Sequence, residues 1–247
     1  MPPSTRLQLA HDLTAKMAAK YPLLLGGVYG STARGEDTEW SDLEMWFVLA
    51  GRAPMQEKHW IVCEIAVGCR ICGEQELIEQ VTHPDGEWPF VVGVLDVLKV
   101  LYGEPAKVQE WLALARETPR ERFHEYLAAQ LPAYVVESYG RIYSSAERGD
   151  WATARYSLTE VLFEMQRALC LLNQRWVTRD YDAGLLQVAA FPKIPVGYGE
   201  LVPALLAAQD FETLLPLAER LVNEFWLLIA EEGVEVGRCE AVEELEV

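Results

Sequence analysis

The sequence predicts an α+β chain in two domains, residues 1–118 and residues 119–247. Three observations lead there. Short apolar runs that read as strands occur only before Thr118. From Pro119 onward apolar residues recur at intervals of three and four almost without interruption, which is the helical period. The links between those helices are short, and short links between amphipathic helices imply an antiparallel bundle. A length of 247 residues suffices for one large core or two modest ones. With 51% hydrophobic and 24% charged residues, the composition is that of a globular protein.

Taken in order, residues 4–21 carry apolar positions at Leu7, Ala10, Leu13, Met17 and Ala18, a helical face that Ser4 or Thr5 could cap and Pro22 closes. Leu23 to Tyr29 reads as a buried strand, and a second strand is expected from Ser41 to Leu49. A third is expected from His59 to Val67, with Trp60, Val62, Glu64 and Ala66 on one face. Glu74 to Val81 reads as a short helix, and Phe90 to Tyr102 fits strand or helix equally. Glu104 to Thr118 ends the first domain as a helix. Beyond it, 119–149 reads as one long helix kinked at Pro132. Helices are expected at 150–174 (capped by Asp150), 184–191, 198–209 and 210–232, the last stopped by Gly233. Residues 240–247 read as an acidic, frayed end.

The chemistry concentrates in Gly26 to Val48. Gly30 permits a tight turn with close backbone approach, and Ser31 and Thr32 can turn N–H groups and hydroxyls toward an anion. Asp42 and Glu44, two residues apart on a strand, leave the same face. Two carboxylates beside an anion-binding turn repel each other unless a cation lies between them. A hard divalent ion such as Mg²⁺, completed by substrate phosphates, suits that position. Alone, a Gly-Ser turn or a D-x-E strand face is commonplace; together they point to nucleoside triphosphate chemistry. Glu64, the one carboxylate in an otherwise apolar strand, is the expected third ligand. Glu137 and Arg141 lie four apart on one helical face, a spacing that ordinarily means a surface ion pair.

Charge and cysteines narrow the classes. A net charge of −17 argues against a nucleic-acid backbone as partner and is compatible with a cationic small substrate. No apolar run reaches the length of a membrane span. The start of the chain lacks a signal-peptide pattern, so a cytoplasmic protein is expected. The five cysteines are scattered, and Cys69-Arg-Ile-Cys72 has no second pair or nearby histidine to complete a zinc site. Reduced, mostly buried thiols are the expectation.

The motif segment GVYGSTARGEDTEWSDLEM, with Asp42 eleven positions after Ser31, resembles the signature of the polymerase-β-like nucleotidyltransferases. Within that superfamily it is similar to the aminoglycoside 4′-O-nucleotidyltransferase (kanamycin nucleotidyltransferase) family. The similarity continues through VCEIAV, EWPF, FHEYLAAQLPAYVVESYGR and, more faintly, RWVTRDYDAGLLQVAAF and PVGYGEL. The resemblance implies an N-terminal nucleotidyltransferase domain with a small mixed sheet, a C-terminal helical bundle, and a homodimer with shared active sites. It implies that Gly30, Ser31 and Arg34 meet the triphosphate, that Asp42, Glu44 and Glu64 hold Mg²⁺, that Glu137 is the general base, and that Arg141 contacts nucleotide phosphate. Arg141 stands where the family has lysine, which changes donor geometry. Ala133 and Tyr134 stand where the family carries acidic residues that receive a cationic sugar.

The expected reaction is therefore transfer of a nucleoside monophosphate, from ATP or another nucleoside triphosphate, to a hydroxyl of an aminoglycoside-like small molecule. Two other readings fit the same residues. One is a nucleotidyltransferase acting on another acceptor, a lincosamide or a protein. The other is a catalytically silent nucleotide-binding dimer module.

Overall fold

A computed structural model describes residues 5–179 and 181–237. The expected Ser4 cap, Cys239 and the acidic end at 240–247 lie outside the described residues. The chain divides into two compact units, Met1–Thr118 and Pro119–Val247. Among the described residues no helix is long and apolar enough to cross a membrane.

The first unit runs α1 (Thr5–Lys20), β1 (Leu23–Val28), α2 (Gly30–Arg34), β2 (Leu43–Leu49), β3 (Gln56–Val62), β4 (Ile65–Gly73), α3 (Glu74–Thr82), α4 (Trp88–Asp96), β5 (Lys99–Tyr102) and α5 (Ala106–Glu117). The strands form one mixed sheet in the order β3-β4-β2-β1-β5. Only the β2/β4 pair is parallel. Alternation along β2 sorts its two faces. Leu43, Met45 and Phe47 join Val67 and Cys69 of β4 in a core against Ala10, with Leu7, Leu13 and Met17 of α1 packed beside it. The opposite face of the same strand carries Glu44.

Arg6 anchors the loop that leads into β2. Its side chain is 8% exposed. Nε donates to the Ser41 carbonyl at 2.6 Å and Nη2 to the Glu39 carbonyl at 2.8 Å. The loop is tied internally as well, since the Thr38 N–H donates to Ser41 Oγ at 2.9 Å. A buried guanidinium that satisfies carbonyl groups is charge-assisted and costly to remove.

Two local expectations are corrected and one open reading is resolved. The expected single strand at 59–67 is instead a hairpin, because Cys63 and Glu64 take φ of 49° and 64°. That is the backbone of a two-residue primed turn, adopted here without the Gly or Asn that normally announces it. The stretch 90–102 resolves into a helix end and a short strand. The long helix at 119–149 is two helices, α6 (Arg120–Gln130) and α7 (Val136–Glu147). Pro132 has no N–H to continue the ladder. Val135 then turns the chain at φ 66°, an outlier for a β-branched residue.

The rest of the second unit is α8 (Trp151–Leu172), α9 (Tyr181–Val188), α10 (Tyr198–Ala207) and α11 (Phe211–Glu231), with no strand among the described residues. Asp150 caps α8 by accepting from the Thr153 N–H at 3.1 Å, and Asp210 caps α11 through Thr213 at 2.8 Å.

Two measurements check this architecture. Gly103 follows β5 at φ 87°, and a Cβ there would press into the carbonyl of Leu24. Gly103→Ala should therefore destabilise by more than about 1 kcal/mol in denaturant titration; an unchanged midpoint would refute the packing of β5 against β1. Arg6→Met should speed hydrogen exchange at residues 38–42 while leaving β1 and β2 protected; exchange unchanged in that loop would mean Arg6 does not hold it.

Candidate active site

The site in the first unit begins with a steric fit. Gly30 opens α2 at φ 65°, and a Cβ there would collide with Glu44 Oε2. Glycine is required twice, once by the backbone angle and once by the carboxylate. The pairing of Tyr29 N–H to the Glu44 carbonyl at 3.1 Å locks the turn to β2 at the same point. The carboxylate of Glu44 thus sits directly against the Gly30-Ser31 turn, with Ser31 half-buried beside it. Gly35, at φ 71°, ends the short helix by returning its N–H to the Thr32 carbonyl.

Asp42 and Glu44 line a cleft of about 530 Å³ together with Tyr29, His59, Gly68 and Arg70. The floor of the cleft is the face of the sheet opposite α1. Burial, and after it the charge of Glu44, holds the Tyr29 phenol well above its ordinary pKa, so it remains a protonated donor. Arg70 pairs with Glu57 at 2.9 Å and lies 5.9 Å from the centre of the Trp46 ring. The cleft therefore contains both the carboxylates that suit a hard cation and a guanidinium that suits an anion.

The other expected residues are distributed as follows. Arg34, a quarter exposed at the end of α2, is ion-paired to Glu36 at 2.7 Å. Glu64 stands exposed at the tip of the β3/β4 hairpin and does not line the cleft. Among the described residues no three His, Cys, Asp or Glu side chains gather into a metal cage. The two carboxylates are hard oxygen donors beside the Gly30-Ser31 turn, a donor set that suits a divalent ion with further ligands from outside the protein. Cys69 and Cys72 are buried, and burial pushes each thiol up to about 11.

Glu137 and Arg141 belong to the second unit, in the first turns of α7. Glu137 is mostly exposed, and its carboxylate is ion-paired with Arg141 Nη2. Arg141 Nη1 also reaches Glu160 of α8 at 3.2 Å, and Ser138 Oγ donates to the same Glu160 carboxylate at 3.2 Å. Glu164, one turn further along α8, accepts the N–H of the strained Val135 at 2.6 Å. Burial raises its pKa against that hydrogen bond, with Glu160 adding to the rise. Arg167 lies over the Tyr134 ring at 5.7 Å.

Glu160 and Glu164 escaped the sequence reading. Their signal was present: two acids four apart on a helix whose apolar positions suffice to define its packing face. Tyr29, His59 and Arg70 were missed because their shared cleft depends on strand order.

No family model matches the chain. It is 23% identical over 222 residues to an aminoglycoside nucleotidyltransferase (4′) from a Bacillus species, covering 88% of this chain and 87% of the relative. The match to the protein of the same name from Staphylococcus aureus has the same extent and identity. Among solved structures, a nucleotidyltransferase-like protein from Exiguobacterium sibiricum 255-15 superposes with a TM-score of 0.51 at 14% identity, covering 92% of this chain and 76% of the other. The chain thus has an α+β, nucleotidyltransferase-like fold and is similar over nearly its whole length to transferase enzymes.

Proposed function

We propose that this chain is a metal-dependent nucleotidyltransferase that moves AMP from ATP to a hydroxyl of a cationic, aminoglycoside-like acceptor. The observation that carries the reading is the close seat of Glu44 against Gly30, with Asp42 beside it in the same cleft. It brings an anion-binding turn and two hard oxygen donors together, which is what a metal-bound triphosphate requires. The similarity to transferases named for aminoglycosides supports the enzyme class and the choice of acceptor.

In this mechanism the Gly30-Ser31 turn binds triphosphate oxygens through backbone N–H groups and the Ser31 hydroxyl. Arg34 approaches the phosphates after leaving Glu36, and Arg141 after leaving Glu137 and Glu160. Asp42 and Glu44 hold Mg²⁺, which when bound offsets charge on the triphosphate. Glu137 removes the proton from the acceptor hydroxyl. The oxygen then forms its bond to the α-phosphorus as the bond to the leaving pyrophosphate breaks. Positioning and preorganised charge account for most of the acceleration in such transfers.

A cationic acceptor finds support in α8. The acids expected just before Glu137 are absent at Ala133 and Tyr134, but Glu160 and Glu164 bring two carboxylates to the same start of α7 from the neighbouring helix. The same reading, on the strength of the resemblance in the motif segments, carries a cytoplasmic homodimer with shared sites.

Glu137→Gln tests the assignment. A general base contributes about 10²–10⁴-fold, so turnover with an aminoglycoside acceptor should fall by that factor while ATP affinity is retained. Near-wild-type turnover would remove Glu137 from the mechanism.

A further inference from the structure

We propose that His59 is a third protein ligand for later first-row divalent ions at the Asp42/Glu44 site, reaching the carboxylate pair across an opening left by Gly68. The proposal rests on the reading that Asp42 and Glu44 hold the ion. Strands β2, β4 and β3 are consecutive in the sheet. Their registers pair Glu44 with Gly68 and Gly68 with His59. The three residues form one row on the cleft face, because paired residues project to the same side.

The middle of that row carries no side chain, and neither sterics nor backbone explains why. Gly68 does not adopt the left-handed conformation, and a Cβ on it would meet His59 Nδ1 at 3.5 Å and Cε1 at 3.6 Å, ordinary contact distances. Alanine would fit locally. What glycine provides is open space between Glu44 and His59, and the imidazole lies over that space. With strands about 4.8 Å apart, the Glu44 and His59 backbones are separated by roughly 10 Å. A carboxylate and an imidazole joined through one ion, about 2.1 Å from each, cover that span. In the structure the three groups are not yet gathered around a common point. His59 is an exposed residue of an edge strand, and its side chain lines the same open cleft as the carboxylate pair.

The donor set makes the proposal specific. Two carboxylates and an imidazole favour borderline ions over Mg²⁺ more than carboxylates alone do, because imidazole nitrogen suits the later first-row metals. The site should therefore bind Co²⁺ through all three residues and Mg²⁺ mainly through Asp42 and Glu44.

Calorimetric titration of the full-length protein with Co²⁺ alone and with Mg²⁺ alone separates the possibilities. For Co²⁺ at the Asp42-dependent site, His59→Ala and His59→Asn should each weaken binding by about 10-fold or more. Both should leave Mg²⁺ affinity within about twofold, and Asp42→Asn should weaken both ions. If Asp42→Asn abolishes Co²⁺ binding but neither His59 variant changes it, His59 is not a ligand and the carboxylate pair stands. If Asp42→Asn leaves both ions bound as in the wild type, the metal site itself is misassigned and the proposal falls with it.

Discussion

The contact between the backbone of Gly30 and the carboxylate of Glu44 is the constraint around which the first unit is built. The turn must be glycine because the carboxylate fills the space a side chain would take. The carboxylate is held there because Glu44 lies on a central strand whose other face is fixed in the core against α1. Asp42 depends on the same strand but stands just before it, where the loop is steered by the buried Arg6. A one-residue slip of β2 would exchange its faces and send Glu44 into the apolar core, so the period-two pattern that folds the sheet also places this carboxylate in the cleft.

The second unit shows a different economy. Its helices pack on apolar faces, yet the start of α7 is fixed by polar contacts from α8. Val135 adopts a backbone conformation that costs energy for a β-branched residue, and Glu164 accepts its N–H. Arg141 is shared between Glu137 and Glu160. The proposed base is therefore embedded in a small network of charge, and an incoming phosphate would compete with the two glutamates for the guanidinium.

Much of this was legible in the sequence because it depends on local pattern. The alternation of LEMWFVL, the glycine-serine turn after an apolar run, and the three-and-four spacing of α8 all state their structure in a few residues. The Asp150 cap was legible for the same reason. Glu64 was not, because the hairpin at Cys63-Glu64 uses left-handed residues with no glycine or asparagine to mark it, so one continuous strand was the natural reading. The break at Pro132–Val135 was read as a kink because the turn is held by Glu164, some thirty residues later. His59 and Arg70 enter the cleft only through the pairing of β4 with both β2 and β3, a long-range fact that no window of sequence contains.

The most direct test of the account is transfer of labelled AMP from Mg²⁺-ATP to kanamycin by the wild type and by Asp42→Asn. The account predicts labelled kanamycin with release of pyrophosphate in the wild type, and loss of both in a variant that remains folded. Transfer that survives Asp42→Asn unchanged, or ATP binding with no transfer to any aminoglycoside, would contradict it.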